Sequence, residues 1–434
     1  MNIKSLNRKL NKKFAGRVTA RLSDGCIVLT GELDDWNDVV DAGMTAATPH
    51  SSTHVVNDIV FTAAPEEKMH VPALSDNALE GDRPDVLVIG GGISGCSVAR
   101  ELARYKLNVL LIEKEADLAL GASGRNDGEV HPGVDLSKGS LKHKYIRRAN
   151  HMYEDLCREL DVPFKRIGQY ACFTHKSWLP FVSLYAKWRR DHDGIEDTCI
   201  VMGDEIRKKE PSISADVAFA LSNPSSGSVS PYNLVIAYAE NAVQNGARVS
   251  LNTAVTGMDV SDGMIKAVHT NRGTIYPREV INCAGVYSDV VAQMAQDRFF
   301  SIHPRRGTNS ILDKKTGAAF KTIASAVGPE TPGHAHTKGG GILHTVHDNL
   351  LVGPDAVETP ERENTATNAD SIARVFAKQK IAMPTLTEKD IITYFTGVRA
   401  PTYEEDFIIE PGRKTKNIYH VAGIQSPGLT TAPA

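Results

Sequence analysis

Nothing in this 434-residue chain stays apolar long enough to cross a bilayer, and its basic N-terminus has no apolar core of the kind a secretory leader needs. Paired cysteines are missing too. The six cysteines, at 26, 96, 157, 172, 199 and 283, form no C-x-x-C pair. That argues against a disulfide framework and a cysteine metal site, and points to a reducing, cytoplasmic setting. Charge of one sign is also lacking: 49 basic against 52 acidic residues leave a formal net charge of -3, so nucleic acid is not expected as the main partner. What remains is the composition of an ordinary globular protein, with room for two or three domains and a sizeable core.

The most informative stretch is DVLVIGGGISGCSVARELARYKLNVLLIEKE, residues 85–115. Residues 85–89 read as a buried parallel strand. Gly90, Gly92 and Gly95 then fall on G-x-G-x-x-G spacing, followed by a helix over 94–105 and a second buried strand over 108–112. In such a unit the first glycine turns the chain out of the strand. The second lets a pyrophosphate approach the backbone near Ile93 and Ser94, and the third lets the helix pack on the sheet. The helix N-terminus aims its N–H groups at that pyrophosphate. Glu113, 18 residues beyond Gly95 with Lys114 next to it, stands where an acid bonds both hydroxyls of an adenosine ribose.

Residues 1–61 read as a separate small α+β module. Ile3, Leu6, Leu10 and Phe14 give one apolar helical stripe, 17–22 and 26–30 are strands turned at Asp24-Gly25, 34–45 is a helix and 55–61 a third strand. The order α-β-β-α-β with the phrase DGCIVLTGELDDWND resembles the BON domain, a bacterial module associated with phospholipid or protein contacts. Seven basic and no acidic residues in the first 21 fit a peripheral membrane or partner contact, although a solvated helix face is the plainer reading. Residues 62–84 mix Pro, Gly and charge without periodicity and read as a linker.

Further motifs follow the glycine unit in order: A-S-G-R-N-D-G at 122–128, H-P-G at 131–133, VINCAGVYSD at 280–289, and a closing glycine-rich run from Gly423. Together with the glycine fingerprint they resemble the D-amino-acid-oxidase-like superfamily of FAD-dependent oxidoreductases over about 85–434. Within it they are most similar to the A subunit of anaerobic glycerol-3-phosphate dehydrogenase and to L-2-hydroxyglutarate dehydrogenases and oxidases. The resemblance implies an α/β fold: a Rossmann-like FAD-binding domain built from about 85–165, 224–300 and 395–434, with an interleaved α+β substrate domain from 166–223 and 301–394.

It also implies cofactor contacts. Ser123, Arg125, Asn126 and Gly128 would lie along the phosphates and ribityl chain, Val255 beside the adenine, and Ala284 and Gly285 where the returning strand closes. Gly423, Pro427, Gly428, Leu429 and Thr430 would form a final turn under the flavin, opening a helix that relatives continue beyond residue 434.

In the intervening chain, 141–160 reads as a helix, 176–210 as a helical region, 217–221 as a strand, 231–246 as a helix starting at Pro231 and 249–255 as one strand. Residues 305–307 lie on a strand, and His347-Asp348-Asn349 forms a turn between two more. His334, His336, His344 and His347 invite a metal reading, but no carboxylate or cysteine completes a set and no metal is expected. Cys283, without a partner cysteine, reads as a buried structural residue.

A flavin accepts hydride, so the protein must bind, orient and handle a proton. His131 is the candidate base, since histidine exchanges protons near neutral pH, with a packing role as the plain alternative. Arg399, in G-V-R-A-P, is the candidate for gripping a substrate carboxylate or phosphate; Arg306 and Tyr232 are weaker candidates. Asp127 and Asp135 would add negative charge if they face the pocket. Three readings stay open. One is oxidation of a small hydroxylated anion, such as a 2-hydroxy acid or sn-glycerol 3-phosphate, with a quinone, oxygen or an electron-transfer protein as acceptor. The second is oxidation of an amine or amino acid, and the third a silent flavoprotein subunit that docks partners.

Overall fold

The computed structural model describes residues 2–65, 67–195, 197–327 and 340–434. His334 and His336 lie outside the described residues.

The N-terminal module has the element order read from the sequence: α1 (Ile3–Phe14), β1 (Val18–Ser23), β2 (Cys26–Leu33), α2 (Trp36–Ala46) and β3 (Val55–Phe61). Strands β1 and β2 pair antiparallel across Asp24-Gly25, and β3 joins β2 in parallel. Leu6, Leu10 and Phe14 of α1 are buried against this sheet. The basic side chains Lys4, Arg8, Lys9 and Lys12 face solvent. The described residues of the 62–84 stretch form no helix or strand, yet they are tied to the body: Asp76 to Arg272 at 3.0 Å and Asp82 to Arg248 at 2.6 Å.

The body begins with β4 (Val86–Ile89), α3 (Ile93–Leu102) and β5 (Val109–Ile112). Both strands are uniformly apolar because both sheet faces are covered. The chain returns to this sheet from far downstream. The strand order is Arg248–Ser250, β5, β4, Glu279–Asn282, Ile418–Ala422 and Ile408–Pro411, parallel except for the last pair. The dinucleotide-binding part is therefore assembled from three separated stretches.

A nine-stranded sheet carries the second layer of the body. In it Arg305–Leu312 runs antiparallel to Ile391–Arg399, with Arg305 directly opposite Arg399 and Gly307 opposite Gly397. Its core gathers Phe320, Phe376, Ile342 and Val352. A short strand β6 (Glu129–Val130) and helix α4 (Leu141–Glu159), capped by Ser140, lead from the first layer to the second.

Two expectations for element bounds fail for local reasons. The stretch 249–255 is not one strand: Arg248–Ser250 ends the dinucleotide sheet, Asn252 turns through φ +51°, and Val255–Ser261 opens a separate three-stranded sheet. The stretch 176–210 is helical only in part. Gly194 at φ +64° ends the helix Leu179–Asp193, and the strand Cys199–Met202 precedes a short helix Gly203–Lys209.

Candidate active site

At the end of β4 the glycine turn is as tight as its spacing demands. Gly90 has φ +110°, and a Cβ added at Gly95 would overlap the Gly90 carbonyl oxygen, so α3 reaches the sheet only because Gly95 has no side chain. A Cβ at Gly92, by contrast, would meet only the Ser123 side chain, its Oγ at 2.9 Å. The same hydroxyl accepts a bond from the Ile93 N–H at 2.8 Å, at the start of α3. A hydroxyl oxygen on the first helical N–H occupies the role a phosphate oxygen takes at such a terminus. Glu113 ends β5 with Oε2 accepting from Gly91 N at 2.5 Å and Oε1 from Glu115 N at 2.9 Å; burial raises its carboxyl pKa against those bonds. Gly285, at φ +56°, has open space where a side chain would be. A tight turn without side chains, a helix terminus whose first N–H already meets an oxygen, and an acid at the neighbouring strand end fit the diphosphate and ribose of a dinucleotide.

Other expected cofactor residues are found in the same layer. Asn126 shapes its loop by donating to Ala122 and Ser123 carbonyls and accepting from Gly128 N at 2.9 Å. Arg125 donates to the Leu120 carbonyl at 2.9 Å. Lys114 is engaged by Glu115 and, at 2.7 Å, by Glu363. Val255 is buried in one apolar cluster with Leu110 and Ile112 of β5. Cys283 is buried and free, its thiol pushed up by burial, and its carbonyl crowds Gly90.

The closing run folds back onto this layer. Gly423 turns at φ +67°, Pro427 precedes the one-turn helix Gly428–Thr431, and the Leu429 carbonyl accepts from Tyr153 Oη at 2.5 Å. Thr430 Oγ1 accepts from the His131 N–H at 2.9 Å. The His131 ring is then held from both sides: Nδ1 lies 3.4 Å from Glu129 Oε1 and Nε2 lies 3.2 Å from Ser426 Oγ. Glu129, itself buried, also accepts from Gln169 at 2.7 Å. A carboxylate on one ring nitrogen fixes which nitrogen carries the proton and leaves the other to exchange it.

The strand of Arg399 reaches the 121–128 loop from the second layer. A Cβ at Gly397, two residues earlier on the same strand face, would sit 2.6 Å from the Arg125 carbonyl oxygen, so the 121–128 loop lies against this strand. The Arg399 guanidinium crosses Gly307, where any side chain would overlap it. Its bonds go to backbone carbonyls, Arg306 at 3.4 Å and Asp355 at 3.0 Å. Burial, and then the charge of Arg305, lower its pKa, while Asp127 and Asp355 oppose this. Arginine stays protonated in such a setting. The neighbouring buried guanidinium is spent: Arg305 pairs with Glu358 at 2.5 Å and Glu405 at 2.8 Å. Burial pushes Glu405 up, but Arg305 and Lys142 outweigh it and bring its carboxyl down to about 2. Glu405 also accepts from Gln425 in the closing run, which links Arg305 to the turn beside Ser426.

Two candidates are not brought together with these groups. Strand alternation turns Arg306 to the face opposite Arg305 and Arg399, where it bonds the Ala366 carbonyl. Tyr232 is 39% exposed and donates to Asp117 at 2.6 Å. Glu129, Ser426, Gln425 and Glu405 are the additions that the structure makes. Among the histidines of the metal reading, His344 bonds the Phe320 carbonyl at 2.7 Å and Asp348 at 3.1 Å. No group of three potential ligands occurs among the described residues, and none of their helices is long and apolar enough to cross a membrane.

Residues 85–434 match the family model described as DAO: FAD dependent oxidoreductase. The chain belongs to that family. It is 37% identical to a glycerol 3-phosphate dehydrogenase from Caloramator mitchellensis, over 81% of this chain and 72% of that one. A glycerol 3-phosphate oxidase from Mycoplasma genitalium is 30% identical over 81% of this chain and 92% of its own. The FAD-bound, dithionite-reduced L-α-glycerophosphate oxidase from Mycoplasma pneumoniae superposes with a TM-score of 0.74 at 26% identity, covering 81% of this oxidoreductase and 92% of that chain. FAD is thus the cofactor.

Proposed function

We propose that this FAD-dependent oxidoreductase oxidises a small hydroxylated anion, with sn-glycerol 3-phosphate as the substrate and a 2-hydroxy acid as the next class to test. The observation that carries the anion is Arg399: a half-buried guanidinium whose bonds go to backbone carbonyls, on the strand face that meets the flavin loop. Among the described residues no carboxylate pairs directly with this guanidinium, and a bound phosphate or carboxylate supplies such a partner. FAD, when bound, supplies the acceptor for the hydride leaving the substrate carbon. The protein's part is to fix the anion at Arg399 and to take the hydroxyl proton at His131, whose ring Glu129 and Ser426 orient. The glycerol 3-phosphate relatives at 37% and 30% identity favour the phosphate over the carboxylate.

A quinone, oxygen or an electron-transfer protein would then take the electrons in a cytoplasmic setting. We read residues 1–61 as BON-like, with the solvent-facing lysines and arginine of α1 available to a membrane surface or protein partner.

The test is anaerobic mixing of FAD-reconstituted protein with sn-glycerol 3-phosphate, L-2-hydroxyglutarate and glycine in turn, followed by loss of the yellow flavin colour. Rapid bleaching by glycerol 3-phosphate is expected, and Arg399→Lys should require roughly tenfold or more substrate for the same rate. Bleaching by the amine with release of ammonia, or by none of the three, would sink the reading.

A further inference from the structure

Residues 403–406 follow the strand of Arg399 and serve two neighbours in turn. Tyr403 lies inside the core of the N-terminal module, in one cluster with Leu29, Val39 and Val55. Its ring fills the place of a side chain at Gly43 of α2, and its Oη accepts from Asn57 Nδ2 at 2.8 Å. Glu404, 1% exposed, accepts from Val55 N of β3 at 2.8 Å and stands 3.1 Å from His54 Nδ1. The next two residues turn to the oxidoreductase body, Asp406 also standing 3.4 Å from His50 of the module. Glu405 pairs with Arg305 and accepts from Gln425 of the closing run. Asp406 accepts from Leu141 N at 2.9 Å and Lys142 N at 3.2 Å, capping the helix that follows the His131 loop. Glu405 holds this position with φ +55°, a left-handed backbone that a glutamate keeps only when its surroundings fix it.

We infer that the N-terminal module is a positioning element for the flavin site. By gripping Tyr403 and Glu404 it sets Glu405, and through Glu405 it sets both the closing turn at Gln425 and the strand pair of Arg305 and Arg399. A domain that merely rides on the surface would need no residue of the body inside its own core. Here the body's chain supplies an aromatic ring to that core, and the two residues after Glu404 in the same strap hold the flavin-site framework. The inference rests on FAD binding against the closing run and not on which anion is oxidised.

The test uses the full chain, stripped of FAD, in four variants: Gly43→Ala, which drives a methyl into the Tyr403 ring; Glu404→Gln; Tyr403→Phe, which removes only the bond to Asn57; and Lys13→Ala, which breaks an exposed ion pair with Asp41 and no bond to residues 403–406. FAD is titrated into each and its dissociation constant read from flavin fluorescence, with thermal unfolding followed in parallel. Gly43→Ala and Glu404→Gln should weaken FAD by at least about fivefold while folded, the scale of an ordinary coupling between sites. Tyr403→Phe should shift affinity in the same direction by less, and Lys13→Ala should match the parent. Unchanged FAD affinity in folded Gly43→Ala and Glu404→Gln, with only a lowered unfolding temperature, would reduce the module to packing and overturn the inference. Should those two fail to fold, unchanged FAD affinity in Tyr403→Phe with a lowered unfolding temperature overturns it equally.

Discussion

Glu129 and His131 stand two residues apart across β6 and the turn after it, and that spacing puts both side chains on one face of an extended chain. The signal was present as E-V-H, but two residues of strand are too short to be read as a strand in advance. So the histidine carries a motif signal in the sequence and the carboxylate beside it does not. With Glu129 on Nδ1 and Ser426 on Nε2, His131 is a ring held in one orientation, as proton transfer needs. His131→Gln should therefore lower kcat by about 10²- to 10⁴-fold with FAD still bound. Glu129→Gln, which keeps the shape but loses the charge, should lower kcat less and leave the substrate's KM close to the parent. Stopped-flow measurement of flavin bleaching separates the two. Full activity in His131→Gln would leave the ring a packing role only. Gln425 and Glu405 carried no local signal at all, because each acquires its meaning from a partner brought in by the fold.

At the level of elements, the dinucleotide unit was readable because its physics is local: a buried strand, a turn without side chains, a helix start and an acid within about 30 residues. The pairing of Arg305–Leu312 with Ile391–Arg399 was not, since nothing in either strand names a neighbour 79 to 94 residues away. Only the small residues Gly307 and Gly397, facing each other, hint at something crossing there, and the structure supplies Arg399 and the Arg125 backbone. The prediction belonging to this scale concerns Gly95. A methyl group there meets a backbone oxygen, which cannot swing aside, so α3 must move off the sheet or tilt. Gly95→Ala should fold with a depressed unfolding temperature and purify nearly colourless, with a flavin-to-protein absorbance ratio well below the parent's. A fully yellow Gly95→Ala protein would mean that α3 does not need its close approach to hold the diphosphate.

Over the whole molecule, the seam between residues 1–61 and the body is prefigured by one strand of the module. The run Cys26–Ile27–Val28–Leu29 is apolar at four successive positions, whereas a strand with one free face alternates. The structure gives each face a core: Ile27 and Leu29 pack under α1 and α2, while Cys26 and Val28, with Val56 of β3, pack on Phe299, Phe300 and Ile302 of the body. Phe299 and Phe300 are buried by that contact and by the dinucleotide sheet, with His420 wedged against both rings. Removing residues 1–61 would uncover Phe299, Phe300, Ile302 and Tyr403 together, an apolar patch of the kind soluble monomers seldom expose. Truncation of a large buried aromatic alone costs about 3–5 kcal/mol, a large part of a domain's net stability. A chain starting at residue 62 should therefore elute from size exclusion as aggregate, or bind FAD only in the presence of the separately made module. Val28→Asp in the full chain, which places a charge in the same seam without touching α1 or the module's own core, should reproduce the loss of solubility. A monodisperse, yellow truncated protein would show that the seam is dispensable and that the two parts fold independently.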